Sequence, residues 1–241
     1  MNKTLFCAVL AVLTAAGNAG AAPKTKVLPR MNYFTERDSV ATIIVTGQQT
    51  PERAALDDSE AAVTLTKQGK NTYTLPLDAL KTGDNTLRVR VGDSTYAVRL
   101  TRLPYKDNGV QIDYLTGVVR AEGLPVIPSG FYCYSPVQPT LAEEEAVRGM
   151  NLISPYQNIG KQPRKERIAY LDRAAQLGMR VNYNLLSIAG GGGGAKAAST
   201  DKAKKMELLR DEIRALKDHP AILSWYVADE PEGQGISAET L

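Results

Sequence analysis

"RKERIAYLDRAAQLGMRVNYNLLS", residues 164–187, changes its period halfway along. The first part sets Ile168, Leu171 and Ala175 on one stripe at helical spacing and closes on Gly178, a residue suited to the left-handed backbone just past a helix end. The second part, "MRVNYNLLS" (179–187), is short and apolar and reads as a strand. A helix that delivers the chain straight into a strand is the building unit of a parallel sheet, because strands running the same way need a crossover between them.

The same unit recurs on both sides. "SGFYCYS" (129–135), "NLISPY" (151–156) and "AILSWYVA" (221–228) are strand candidates. Between them, "TLAEEEAVRG" opens with a capping box, Thr140 with Glu143, and closes on Gly149. "DKAKKMELLRDEIRALKDHP" carries Met206, Leu209, Ile213 and Leu216 on one stripe and stops at Pro220, with "DKAKK" as a solvated face. The helix exits "RGMNLI" and "LGMRVN" lie 29 residues apart and resemble each other. Repetition of this unit predicts a parallel sheet with helices outside it. No strand leads into a dinucleotide or nucleotide phosphate loop, and the glycine run 189–195 lacks the lysine–hydroxyl pair of a phosphate cradle. A (β/α) barrel is therefore favoured over an open doubly wound sheet, and barrels carry their chemistry at the C-terminal ends of the strands.

From about residue 30 to 122 the rhythm is two-fold instead. "VATIIVT" (40–46), "AAVTLT" (61–66), "NTYTLPL" (71–77), "NTLRVRV" (85–91) and "TYAVRLT" (95–101) are separated by turn formers, and Gly92 or Asp93 can take the positive φ of a tight hairpin. A looser hairpin follows at 110–123. This spacing predicts an antiparallel, immunoglobulin-like β-sandwich. The expected organisation is thus a multidomain chain: a leader at 1–21, a sandwich at 22–122, and at 123–241 the first half of a (β/α)8 TIM barrel, cut after about four strands.

The leader reading rests on Lys3, the apolar run Leu5–Ala16 and the small-residue site Ala19-Gly20-Ala21, which together resemble a secretory signal peptide. Such a peptide would make the protein secreted or periplasmic. The run is too short to span a bilayer, and no later stretch is long and apolar enough to do so. Beyond it Cys133 is the only cysteine, so no internal disulfide is expected. A net charge of +3 is too balanced to mark a nucleic-acid surface.

The chemistry concentrates in "SWYVADEP" (224–231), an apolar aromatic run ending in two acids. Glu230 has two readings: a proton-handling carboxylate at a strand end, or a plain acid near the start of the next helix, where the dipole favours it. Asp229, Glu230 and Glu232 also form a possible oxygen-ligand set for a divalent cation. With His219 the sole histidine, a histidine-based zinc or iron site is excluded. Tyr134, Tyr156 and Asn184, aromatic and amide groups at or near the strands, are candidate substrate contacts, with a place in the core as the other reading. Simple alternation puts Trp225 on the face opposite Glu230, beneath the helices, and turns Asp229 away from Glu230.

"HPAILSWYVADEPEG" (219–233) resembles the fourth-strand motif of the retaining glycoside hydrolases built on (β/α)8 barrels, the clan typified by cellulases and β-galactosidases. "GLPVIPSGFYCYSP" (123–136) is similar to the lead-in to their first barrel strand, which a sandwich domain often precedes. The resemblance implies an O-glycosidic substrate, no metal and no cofactor, with Glu230 as general acid/base. It places Asp229 where the clan has an asparagine that contacts the sugar 2-hydroxyl. It finds no match in "NLISPYQN" for the clan's arginine near the end of strand two. The clan supplies its nucleophile from strand seven, so this chain reads as the N-terminal portion of such an enzyme, its nucleophile expected beyond Leu241. A non-catalytic carbohydrate-binding or remnant protein is the alternative.

Overall fold

The structure, a computed structural model, describes residues 24–47, 49–57, 62–134, 140–189, 191–192, 201–230 and 233. The leader expected at 1–21 and the acid Glu232 lie outside them, as does the side chain of Tyr134. The chain is mostly β-sheet with few helices, and its described residues form no closed barrel.

The first part builds two antiparallel sheets. One has the order β1 (Val27–Pro29), β2 (Val40–Val45), β5 (Thr72–Pro76), β4 (Thr66–Lys67), and the other β3 (Pro51–Leu56), β6 (Gly83–Val91), β7 (Ser94–Arg102). Strict alternation along β6 sends Leu87, Val89 and Val91 inward, each at most 2% exposed, and leaves Arg88 and Arg90 outside. They meet Ile43, Leu75, Val98 and Leu100 in one apolar cluster with Phe34 and Leu80. Full burial of such side chains stabilises by about 1.5–3 kcal/mol each. The hairpin between β6 and β7 turns on Gly92, at φ 57.

Two expectations need correction here. Within 62–66 the strand is interrupted: Ala62 bridges Ala55 and the Val63 amide donates to the Ala54 carbonyl at 2.8 Å, Val63 and Leu65 pack against the core, and pairing with β5 starts at Thr66. The chain also makes the unpredicted strand β3, an edge element opening on Pro51 and lacking β-branched residues, which is why its sequence carries no strand signal.

The looser hairpin is a three-stranded meander of β8 (Val110–Asp113), β9 (Val118–Ala121) and β10 (Leu124–Val126). Arg30 grips Asp113 in it through Nη2, at 2.8 Å. Asn108, just before the meander, donates to the carbonyls of Lys217 and His219 at 2.9 and 3.2 Å, while Lys106 pairs with Asp218 and Arg180 with Glu122. These contacts tie the two-sheet unit and its meander to the C-terminal part of the chain.

That C-terminal part is the parallel sheet: β11 (Gly130–Tyr134), β12 (Leu152–Tyr156), β13 (Arg180–Asn184) and β15 (Ile222–Tyr226), in that order. Helices α1 (Leu141–Val147), α2 (Arg164–Gln176) and α4 (Lys202–Leu216) lie in the connections, with a short α3 (Leu186–Ala189) after β13. The similar helix exits are one motif used twice. Gly149 and Gly178 take positive φ and donate to Ala146 and Ala175, and the following Met150 and Met179 donate to Glu145 and Ala174. These are the two bonds of a Schellman cap. At β11, Gly130 is required by contact: a Cβ there would stand 1.8 Å from the Leu152 carbonyl oxygen.

Three details of the helices differ from expectation. The capping box does not form, because Arg173 takes Glu143 at 2.6 Å and Thr140 bonds Glu144 instead. Asp201 caps α4, accepting from Ala203 at 2.8 Å, and Met206 at the stripe's start is 40% exposed. The core-facing stripes of α2 and α4 include charge: Arg167 and Glu212 are 3% and 2% exposed. Arg167 donates to both Glu212 carboxylate oxygens at 2.7 and 2.8 Å, and the Tyr183 hydroxyl donates to Glu212 at 2.5 Å. This network locks α2, α4 and β13 together.

Candidate functional site

Alternation divides the parallel sheet into two faces. Phe131, Cys133, Ile153, Val181, Tyr183 and Trp225 join the helix-side core, where Tyr183 and Trp225 meet edge to face at 5.6 Å. Trp225 thus lies beneath the helices, as alternation predicts. The other face is polar and aromatic. Asn182 bonds Ser154 at 3.2 Å and Ser224 at 2.8 Å across three strands. Nearer the C-terminal ends stand Tyr132, Tyr156 and Tyr226, with ring centroids 5.5, 5.8 and 6.4 Å apart.

Asp229 joins these tyrosines. β15 ends at Tyr226, and after Val227 the chain starts a new pairing, β16 (Ala228–Asp229), parallel to β14 (Gly191–Gly192). The break overturns the expectation of continuous alternation. Asp229 comes to the side of Tyr226, accepting its hydroxyl at 2.5 Å and that of Tyr156 at 3.1 Å. Burial, with the bond to Asp229, lifts the Tyr226 phenol well above the ordinary tyrosine range. Burial also lifts Tyr156, again with Asp229 contributing. Both hydroxyls therefore stay protonated and donate.

Glu230 follows at once, exposed and at φ 48. A bulky residue in the left-handed region is uncommon and costs of order 1 kcal/mol or more, and such strain gathers at functional sites. Among the described residues Glu230 forms no ion pair.

Asn184 ends β13, opposite Tyr226 in register, and is 1% exposed. Its Oδ1 accepts from the Leu186 amide at 3.0 Å, opening α3, while its Nδ2 is buried with no partner among the described residues. An orphaned buried donor is costly unless something else satisfies it. Gln157 reaches the Asn184 carbonyl at 3.2 Å and joins the loops after β12 and β13. Tyr134 closes β11 opposite Tyr156, which puts its backbone in the same layer.

Of the residues singled out from sequence, Asp229 and Tyr156 are brought into contact. Glu230 and Asn184 lie at the same sheet end without a direct bond to them. Tyr226 was missed, although it sits four residues before Glu230. Among the described residues no cluster of His, Cys, Asp and Glu is placed to hold a metal ion. On the helix side a pocket of about 440 Å³ is lined by Lys161, Arg164, Asp211 and Glu212, but its Arg164 already pairs with both acids. No helix of the described residues is long and apolar enough to cross a membrane.

No family model and no curated protein matches this chain. Among solved structures it is similar to an FMN-binding beta-glucuronidase from Facaelibacterium prausnitzii L2-6, at 16% identity and a TM-score of 0.35, covering 90% of this chain and 36% of that one. It is also similar to an amylomaltase from Corynebacterium glutamicum, at 15% identity and a TM-score of 0.24, covering 51% of this chain and 20% of that one. The chain spans about a third of the first protein's length. Both neighbours are carbohydrate-active by name, and at TM-scores this low neither defines the fold here.

Proposed function

We propose that this chain is the front portion of an exported glycoside hydrolase, an immunoglobulin-like sandwich followed by the first half of a (β/α)8 barrel. In this reading Glu230 is the general acid/base of a retaining mechanism on a poly- or oligosaccharide. The supporting observation is the setting of Glu230: an exposed carboxylate, held at φ 48, at the C-terminal end of a parallel sheet beside a tyrosine cluster. The retaining route needs two carboxylates about 5–5.5 Å apart. Glu230 first gives its proton to the leaving oxygen while the second carboxylate attacks the anomeric carbon. Glu230 then takes a proton from the water that releases the sugar. The second carboxylate comes from outside the four described strands. In this reading Tyr156 is a substrate contact, with Tyr134 and Asn184 as further candidates at the same end of the sheet.

The test is Glu230→Gln in the full-length protein, assayed on aryl glycosides. Phenyl glycoside hydrolysis should fall roughly 10²–10⁴-fold. Activated dinitrophenyl glycosides, which need little acid assistance, should still glycosylate the enzyme, and azide should rescue turnover as a glycosyl azide. Unchanged hydrolysis would remove Glu230 from the mechanism.

A second reading, a non-catalytic carbohydrate-binding protein, is favoured by a different place. A pocket of about 510 Å³ where the two-sheet unit meets the meander has a largely apolar lining that also includes Asn32, Tyr33, Arg99 and Tyr114, aromatic and polar groups of the kind that hold sugars.

A further inference from the structure

We propose that Asp229, Tyr156 and Tyr226 form a positioning clamp for Glu230, an inference that rests on the acid/base reading above. The geometry is specific. One carboxylate oxygen of Asp229 accepts from the Tyr226 hydroxyl at 2.5 Å and the other from Tyr156 at 3.1 Å. The two tyrosines come from different strands, β15 and β12, so the carboxylate is pinned from two directions. The Tyr132 ring packs against those of Tyr156 and Tyr226, with centroids 5.5 and 5.8 Å away, which sets the clamp against β11. On the backbone side, Asp229 pairs with Gly192.

The next residue is Glu230. Its left-handed φ needs support from its surroundings, because an unrestrained glutamate leaves that region readily. Fixing the side chain of Asp229 fixes the peptide that turns Glu230 outward. The clamp touches no reacting atom in this scheme. It holds the acid/base in place, and a carboxylate displaced by 1 Å costs roughly 10²-fold in rate.

The experiment is a double-mutant cycle on the full-length protein with phenyl glycosides. Tyr226→Phe should lower kcat roughly 10-fold with KM little changed, and Tyr156→Phe plus Tyr226→Phe should lower it further. Each substitution removes only a hydroxyl, so folding is retained, and thermal unfolding checks this. In a Glu230→Gln background Tyr226→Phe should have almost no further effect on kcat, because a positioning group has nothing left to position. Tyrosine Cζ NMR reads the clamp without activity: Asp229→Asn should let the Tyr226 phenol ionise at lower pH than in the parent. Equal losses with and without Glu230, or an unmoved Tyr226 titration in Asp229→Asn, would overturn the clamp and leave the acid/base reading standing. If Glu230→Gln itself leaves hydrolysis intact, the acid/base reading falls and the positioning role falls with it.

Discussion

The core between the two antiparallel sheets is built from apolar side chains, among them Phe34, Ile43, Leu75, Leu87 and Leu100. On the helix side of the parallel sheet, Leu171, Val181 and Leu216 are joined by the buried Arg167–Glu212 pair. Apolar burial stabilises in proportion to area and is indifferent to direction. A buried ion pair adds little net stability but tolerates only one geometry. The first unit can therefore be held firmly by any well-filled core. The second fixes how α2 and α4 sit against β13, and β13 ends in the layer that carries Asn184.

The largest expected effect comes from that contrast. Glu212→Ala leaves the Arg167 charge buried without its partner and should destabilise the parallel sheet by about 3–5 kcal/mol. Joint replacement, Arg167→Met with Glu212→Leu, should recover most of the loss. Leu100→Ala in the two-sheet core should cost about 2–5 kcal/mol, and there no second change of charge can restore it. Trp225 is the only tryptophan and packs on Tyr183, so its fluorescence in urea reports the parallel sheet, while circular dichroism follows both units. A Glu212→Ala loss below about 1 kcal/mol would erase the distinction between the two cores.

A smaller effect concerns Cys133, on the helix side of β11. Burial pushes its thiol up to about 11. Since the thiolate is the nucleophile, iodoacetamide should modify the folded protein slowly until the pH approaches that value. The sign for stability is the same. The raised thiol contributes stability that is full below the unfolded thiol's pKa and is lost as pH rises through about 11. Half-maximal alkylation near pH 8.5, roughly the ordinary thiol value, would contradict this packing.

The parallel sheet was legible because its strands are short apolar runs and its helices end on Gly149 and Gly178, signals that act within a few residues. The antiparallel strands β2, β5, β6 and β7 were legible from alternation. Strand β3 was not, because its pairing with β6 is decided by distant residues and its own composition is neutral. Arg167 and Glu212 were readable in principle: each lies four residues before a buried leucine, Leu171 and Leu216, and so sits on the apolar stripe. Treating charge as solvated hid them. In the candidate site, Asp229 and Glu230 stood out as acids at a strand end. The bond between Asp229 and Tyr226 did not, because alternation assumes an unbroken strand and the chain breaks at Val227.

The most direct test of where this protein meets its ligand sets the two regions against each other. Tyrosine Cζ resonances, assigned by single Phe substitutions, would be followed while a panel of β-linked glucose, xylose, mannose and galactose oligosaccharides is added. Ligand-induced shifts at Tyr132, Tyr156 and Tyr226, with Tyr33 and Tyr114 unmoved, are the predicted result. Shifts confined to Tyr33 and Tyr114 would place recognition on the two-sheet unit and contradict a site at the end of the parallel sheet.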